Sequence, residues 1–332
     1  VVVVGLSELP LSFTRRQAIA AGVSDVRLAT MVKNGDLIRV RRGVFTRVAE
    51  AASEARASQH LDLVRAALDS RREPHMVSHL SAVAVYGLPL PLGGVDTVHL
   101  TALSPWARTT RRSGLWVHHA NSYDNETCEL NGLVLSSLAR TVADCLRDFS
   151  PRVSVPIADA ALLRRLVTRD EVLAEMAMQC HWPGRSRADV AAPLVDGRRE
   201  SWLESYAFVR FAEWGVSLPH PQVEVFDETG HFVARTDGAW IEDATVLELD
   251  GMAKYQMPTN GMVDPDAVWE GEKARYDRLG NLGLERVRFG LTDLRRNEVQ
   301  VRRAVRARRG CGSLTRFSGS FRIRSSSGLT LL

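Results

Sequence analysis

The chain has 332 residues, 45% hydrophobic and 25% charged, the balance of an ordinary globular protein long enough for two or three domains. No run approaches the roughly 20 apolar residues of a membrane helix, so a membrane-spanning helix is excluded and no membrane partner is expected. The net charge of +4 hides an asymmetry: residues 12–47 hold eight Lys/Arg against two Asp/Glu and residues 301–332 hold eight Arg and no acid, around a net-acidic middle, which suits a polyanion with nucleic acid as the default partner, the alternative being solvated surface charge.

The opening "VVVVGL" is too short for the apolar core of a signal peptide and no Lys or Arg precedes it. Cys128, Cys145, Cys180 and Cys311 show no CxxC spacing. A disulfide framework or structural zinc is therefore not expected, and a reducing cytoplasm is.

Residues 12–47 predict a short helix over 16–21 that ends at Gly22, then a second helix capped by Ser24 and stopped at Gly35. The second helix should bury Leu28, Ala29 and Val32. Arg27, Thr30, Lys33 and Asn34 are its candidate DNA-reading residues, with Arg27, Thr30 and Asn34 on one face. "LIRV" and "GVFT" around "RRG" read as a β-hairpin whose Arg39, Arg41 and Arg42 would meet phosphates. Helix, tight turn, helix and basic hairpin make a winged helix-turn-helix. The alternative is the same shape used only for protein contacts. The segment "AIAAGVSDVRLATMVKNGDLIRVRRGVF" resembles the N-terminal domain of AbiEi-type antitoxins of type IV toxin–antitoxin systems. That resemblance implies DNA binding and a possible cognate toxin as partner.

The middle alternates helices and strands: helix over 54–70, a helix in "VSHLSAVAVYGLP", strands in "TVHLTAL" and "GLWVHHA", then three helices. This is a mixed α/β unit. Its "SHLSAVAVYGLPL" and "SLARTVAD" resemble the segment after the winged helix in actinobacterial AbiEi-like proteins, a likeness that carries no assigned chemistry. His79, His99 and the adjacent His118 and His119 come from different elements without ligand-like spacing and read as core or surface histidines. "HWPGRSRADVAAPLVDGRRES" reads as a linker loop.

Beyond it the order predicted is αβββαβα. Glu200 and Glu204 share a helical face. Asp237 nears the end of the second strand, and Glu248 and Asp250 sit at i and i+2 on the third, so they point to one face. Carboxylates gathered there repel one another and lose hydration. A hard divalent ion, Mg²⁺ or Mn²⁺, removes both problems and can activate water against a phosphodiester. Strand order and acid spacing resemble the PD-(D/E)XK nucleases, in particular the very-short-patch-repair-like branch. By that resemblance Asp237 matches the first acid, Glu248 the second, and Glu200 or Glu204 the acid of the first helix; the candidate catalytic residues are Asp237, Glu248, Asp250, Lys254 and Glu204, and the candidate metal ligands are Asp237, Glu248, Asp250 and Glu200. Asp250 stands where that motif has lysine, leaving Lys254 or Lys273 as its substitute. The alternative is a nuclease-like fold kept as a binding scaffold.

The expected organisation is a multi-domain α/β chain: a winged helix over 1–50, a mixed α/β domain over 51–185, a restriction-endonuclease-like αβββαβ core over 186–310 and a disordered tail over 311–332. The expected function is a DNA-binding, metal-dependent endonuclease, with a non-enzymatic antitoxin that represses its own promoter as the alternative.

Overall fold

The computed structural model describes residues 12–34, 37–41, 43–47, 53–71, 73–91, 95–104, 106, 108–119, 127–250, 277–325 and 328–331. Among these, no helix is long and apolar enough to cross a membrane. The chain divides into two compact units, the first of residues 1–157 and 165–189, the second of 158–164 and 190–332.

The first unit begins with β1 (Ser12–Thr14), α1 (Arg15–Ala20), α2 (Asp25–Asn34), β2 (Leu37–Arg41) and β3 (Val44–Arg47). Thr14 starts α1 through a capping box: its hydroxyl accepts from the Gln17 amide, and Gln17 Oε1 accepts from the Thr14 amide at 2.7 Å. Gly22, at φ +83°, turns the chain between the helices. Ser24 Oγ then accepts from the Arg27 amide. β2 and β3 form the hairpin and β1 adds to β3, all antiparallel. Phe13, Ala18, Val23, Leu28, Leu37 and Phe45 make the local core.

The larger sheet of this unit has the order β6-β7-β5-β4-β9-β8. Its strands are β4 (His75–Val77), β5 (Val98–Ala102), β6 (Thr110–Arg112), β7 (Leu115–His119), β8 (Thr127–Leu130) and β9 (Leu133–Ser136). Parallel pairs β5–β7 and β4–β9 are mixed with antiparallel ones. Around it lie α3 (Ser53–Asp69), α4 (His79–Val85), α5 (Leu138–Asp148), α6 (Pro151–Leu163), α7 (Arg169–Met178) and α8 (Arg185–Ala191). Leu63, Val64, Ala66 and Ala67 of α3 pack with Val77, Leu100, Val117 and Leu135 of the sheet. α5 buries Arg140, Asp144 and Arg147 along with its apolar residues.

In the second unit, α9 (Trp202–Glu213) precedes β10 (His220–Asp227), β11 (Phe232–Trp240) and β12 (Thr245–Asp250). Residues 277–281 are helical and lead to β13 (Glu285–Gly290), α10 (Leu291–Arg296) and α11 (Glu298–Cys311). β10, β11 and β12 form an antiparallel meander, and β13 joins β12 in parallel. One side of the sheet packs Leu247, Leu249, Val287 and Phe289 against Phe208 and Phe211 of α9. The other packs Val223, Ala239 and Val246 with Leu279 and Leu284. The last residues of α6 belong here because buried Asp159 meets Arg199 at 3.0 Å and accepts from the Asp196 amide.

Three expectations need correcting. The region read as a linker contains α8 and a short 3₁₀ turn at Ala192–Leu194, since Ala188 and Ala191 find buried positions. The region read as a disordered tail carries β14 (Gly319–Ser325) and β15 (Gly328–Leu331), which extend the sheet beyond β10. The period-2 alternation of Phe321 and Ile323 with Arg322 and Arg324 drives this, and Phe321 is 1% exposed. In α2, Ala29 is exposed rather than buried. It lines a shallow groove with Arg15, Asp25, Val32, Arg39 and Phe45.

Candidate nucleic-acid interface and acidic cluster

Helix α2 buries Leu28 and half-buries Met31 and Val32, which leaves Arg27 and Thr30 outward. The Thr30 hydroxyl donates to its own helix at Val26 O, 2.9 Å away. That spends its proton locally and leaves only acceptor capacity for a base. Arg15 is occupied as well: its guanidinium forks onto Asp25, Nε to Oδ1 at 2.6 Å and NH2 to Oδ2 at 2.5 Å. This exposed pair sits at the start of α2, where the acid also suits the helix dipole. Arg39 is exposed on β2, opposite Phe45. Arg41 lies on the same strand and Lys33 and Asn34 close α2. Arg42 falls outside the described residues. The Arg15 amide donates to Gly43 O at 2.7 Å, which fixes the hairpin turn against α1.

In the second unit Glu248 is buried on β12, on the face opposite Leu247 and Leu249. The β11–β12 register pairs Gly238 with Leu247, so Asp237 falls beside Glu248 on the neighbouring strand. Asp237 Oδ2 accepts from the Leu249 amide at 2.6 Å, which holds its carboxylate against β12. Asp250 turns to β13: both its oxygens take the guanidinium of Arg288, with NH2 to Oδ1 at 2.7 Å. Glu204, 5% exposed on α9, accepts from Gln222 Nε2 at 2.7 Å and from the Glu200 amide at 2.9 Å. Glu200 is paired with Arg235 at 2.7 Å. Lys254 and Lys273 lie outside the described residues. Protein cations thus already answer two of the expected metal ligands, Asp250 and Glu200. Asp237 and Glu248 keep the neighbouring placement a hard cation would use.

Sequence spacing missed one constellation. His79, His99 and His118 each bring a ring nitrogen within 4.8 Å of the others, the group of three potential ligands found among the described residues. Burial pushes the pKa values of His99 and His118 down, so both rings are neutral. His119 is exposed and apart from this set. The signal in the sequence was the placement of each histidine inside an apolar strand or at the first residue of an apolar helix.

A family model described as "Transcriptional regulator, AbiEi antitoxin" matches residues 13–48, from β1 to just past the hairpin. Two Mycobacterium tuberculosis proteins are similar through both units: "Uncharacterized protein MT2308" of strain CDC 1551 / Oshkosh and "Uncharacterized protein Rv2248" of strain ATCC 25618 / H37Rv. Each is 29% identical over 273 residues, which covers 81% of this chain and 91% of the relative.

Proposed function

We propose that the chain is a DNA-binding regulator of the AbiEi antitoxin kind, placed on DNA by a winged helix formed by residues 12–47. One observation carries the reading: two short helices joined at Gly22 precede an arginine-bearing hairpin, with Leu28 inward and Arg27 outward on the second helix. The antitoxin family model covers the same residues. In this arrangement α2 enters the major groove and Arg39 of the hairpin meets phosphate. Such a role belongs in the cytoplasm and leaves room for a cognate toxin as partner. Duplexes selected by the protein from a random pool test the reading. Arg27→Ala should weaken binding to a selected duplex by about 1–3 kcal/mol and to random DNA much less. An equal loss on both makes Arg27 a phosphate contact, and no selectable duplex at all removes the regulator reading.

A second reading rests on the neighbouring placement of Asp237 and Glu248 in an αβββ-helix-β sheet. This is a nuclease-type core in which those two acids would hold Mg²⁺ or Mn²⁺. Their hard oxygens fit such an ion. Bound there, the ion would supply an activated water and charge stabilisation at a phosphodiester. The Asp250–Arg288 fork weighs against cleavage, because the position that carries the catalytic lysine in such enzymes here holds an acid neutralised by arginine. Millimolar Mn²⁺ should raise the melting temperature of the wild type by mass action and leave Glu248→Gln unmoved. A wild type that does not respond removes the metal site and leaves the antitoxin reading intact.

A further inference from the structure

Three histidines from three elements meet in the first unit, at a place the DNA-binding reading does not use. His79 is the first residue of α4, His99 lies on β5 and His118 on β7. They are 1%, 3% and 6% exposed. His99 Nδ1 lies 3.0 Å from His118 Nε2, and His79 Nε2 lies 2.9 Å from Asp148 Oδ2, which is also 3.7 Å from His118 Nδ1. One face of the group opens on a cavity of about 350 Å³, lined among others by His79, His118, Asp148, Trp116, Trp182 and Arg147.

The backbone is bent to make this convergence. His79 has φ +52°, left-handed for a residue with a side chain and therefore strained. The surroundings orient the rings. Ser78 Oγ is 2.9 Å from His79 Nδ1 and accepts the Thr101 hydroxyl at 2.8 Å. When it also accepts the Nδ1 proton, the Nε2 lone pair faces Asp148. A carboxylate and a lone pair at that distance repel unless a cation or a proton stands between them. Asp148 Oδ1 accepts from Arg147 NH1 at 2.7 Å, which fixes the carboxylate from behind. Arg140 and Arg147 are compensated in turn by Asp144.

We propose that His79, His99 and His118 form a binding site for one transition-metal dication, with Asp148 beside His79 and His118 and the open side toward the cavity. Three imidazoles select zinc, copper, iron or nickel over magnesium and calcium, unlike the all-oxygen acids of the second unit. A position left facing a cavity is the arrangement of a metal that binds a further ligand rather than one that only staples a fold. The outer partners Ser78, Thr101 and Arg147 set ring tautomer and carboxylate orientation. The rival explanation is a self-contained network in which His79 stacks on His118 at 3.7 Å and the rings share protons.

Cobalt(II) is the probe. Tag-free full-length protein, stripped with chelator, should take up one equivalent of Co²⁺ with intensified visible absorption and no thiolate charge-transfer band, and Zn²⁺ should displace it. Asp148→Asn should weaken uptake about 10–100-fold, and His118→Gln should abolish the visible band. Glu248→Gln in the second unit should leave the band unchanged. Absence of intensified absorption in the wild type overturns the site. So does a band that survives His118→Gln, disappears with Glu248→Gln, or carries thiolate character. If His118→Gln does not fold by circular dichroism, Asp148→Asn decides: unchanged affinity there overturns the site.

Discussion

Replacing Arg140 with alanine should lower the stability of the first unit by about 3–5 kcal/mol, the cost of breaking a buried ion pair by removing one partner. Arg140 is 1% exposed; its Nε donates to Asp144 Oδ2 at 2.8 Å and its guanidinium lies 4.3 Å over the Trp182 ring. Asp144 is fully buried. Burial raises its pKa, yet the favourable charges around it, Arg140 and Arg147 among them, outweigh burial and hold it below the usual carboxylate range. Without Arg140 that charge rests mainly on Arg147, 3.1 Å from Asp144 Oδ1, which puts the expected cost nearer 3 than 5. The double variant Arg140→Met/Asp144→Leu should recover much of the loss, because it removes both charges and keeps the volume. Urea unfolding of both variants checks this. A loss under 1 kcal/mol for Arg140→Ala means the buried pair contributes little to the stability of the first unit.

The first unit should also be acid-labile, with His60 as one cause. His60 on α3 is buried; its Nδ1 lies 2.9 Å from Val95 O and its Nε2 2.9 Å from Ser81 Oγ. A carbonyl only accepts, so Nδ1 carries the proton. Ser81 Oγ accepts from the His99 amide and gives its own proton to His60 Nε2. That tautomer has no place for a second proton, and burial pushes the pKa down to about 4. A depressed histidine leaves stability intact above its unfolded value near 6.5 and removes it as pH falls from there toward 4. The shift corresponds to roughly 3 kcal/mol at 1.36 kcal/mol per unit. His99 and His118 act in the same direction. Urea midpoints from hydrogen-exchange labelling of α3 peptides, taken between pH 7.5 and 4, should fall for the wild type and flatten in His60→Gln. Parallel pH profiles for the two proteins would remove His60 as a cause.

The elements of the N-terminal segment were legible because Gly22, Ser24 and Gly43 punctuate it chemically. Ala29 misled because an apolar residue at helical spacing can line an open groove as easily as a core. The shared face of Glu248 and Asp250 followed from the period of a strand. The partner of Asp250 did not, because it depends on the parallel register that sets Glu248 beside Arg288. "ERVRFG" did hold a trace of it, with Arg286 and Arg288 alternating against Val287 and Phe289. The histidine cluster was illegible for a stronger reason. Its members come from α4, β5 and β7, and β5 and β7 become neighbours only through their parallel pairing, which sets His99 opposite Trp116 and Thr101 opposite His118. The tail was misread on composition, since Ser, Gly and Arg masked a strand held by one buried phenylalanine, Phe321.

The central claim is that residues 12–47 hold the chain on DNA, and the salt dependence of binding tests it most directly. Fluorescence anisotropy of a labelled duplex with the full-length protein, over increasing KCl, should give log K falling linearly with log salt, by about 0.9 per phosphate contact. Arg39→Ala should weaken binding and flatten that slope by about one contact. A wild type that does not bind DNA at low salt, or an affinity and slope that Arg39→Ala leaves unchanged, would contradict it.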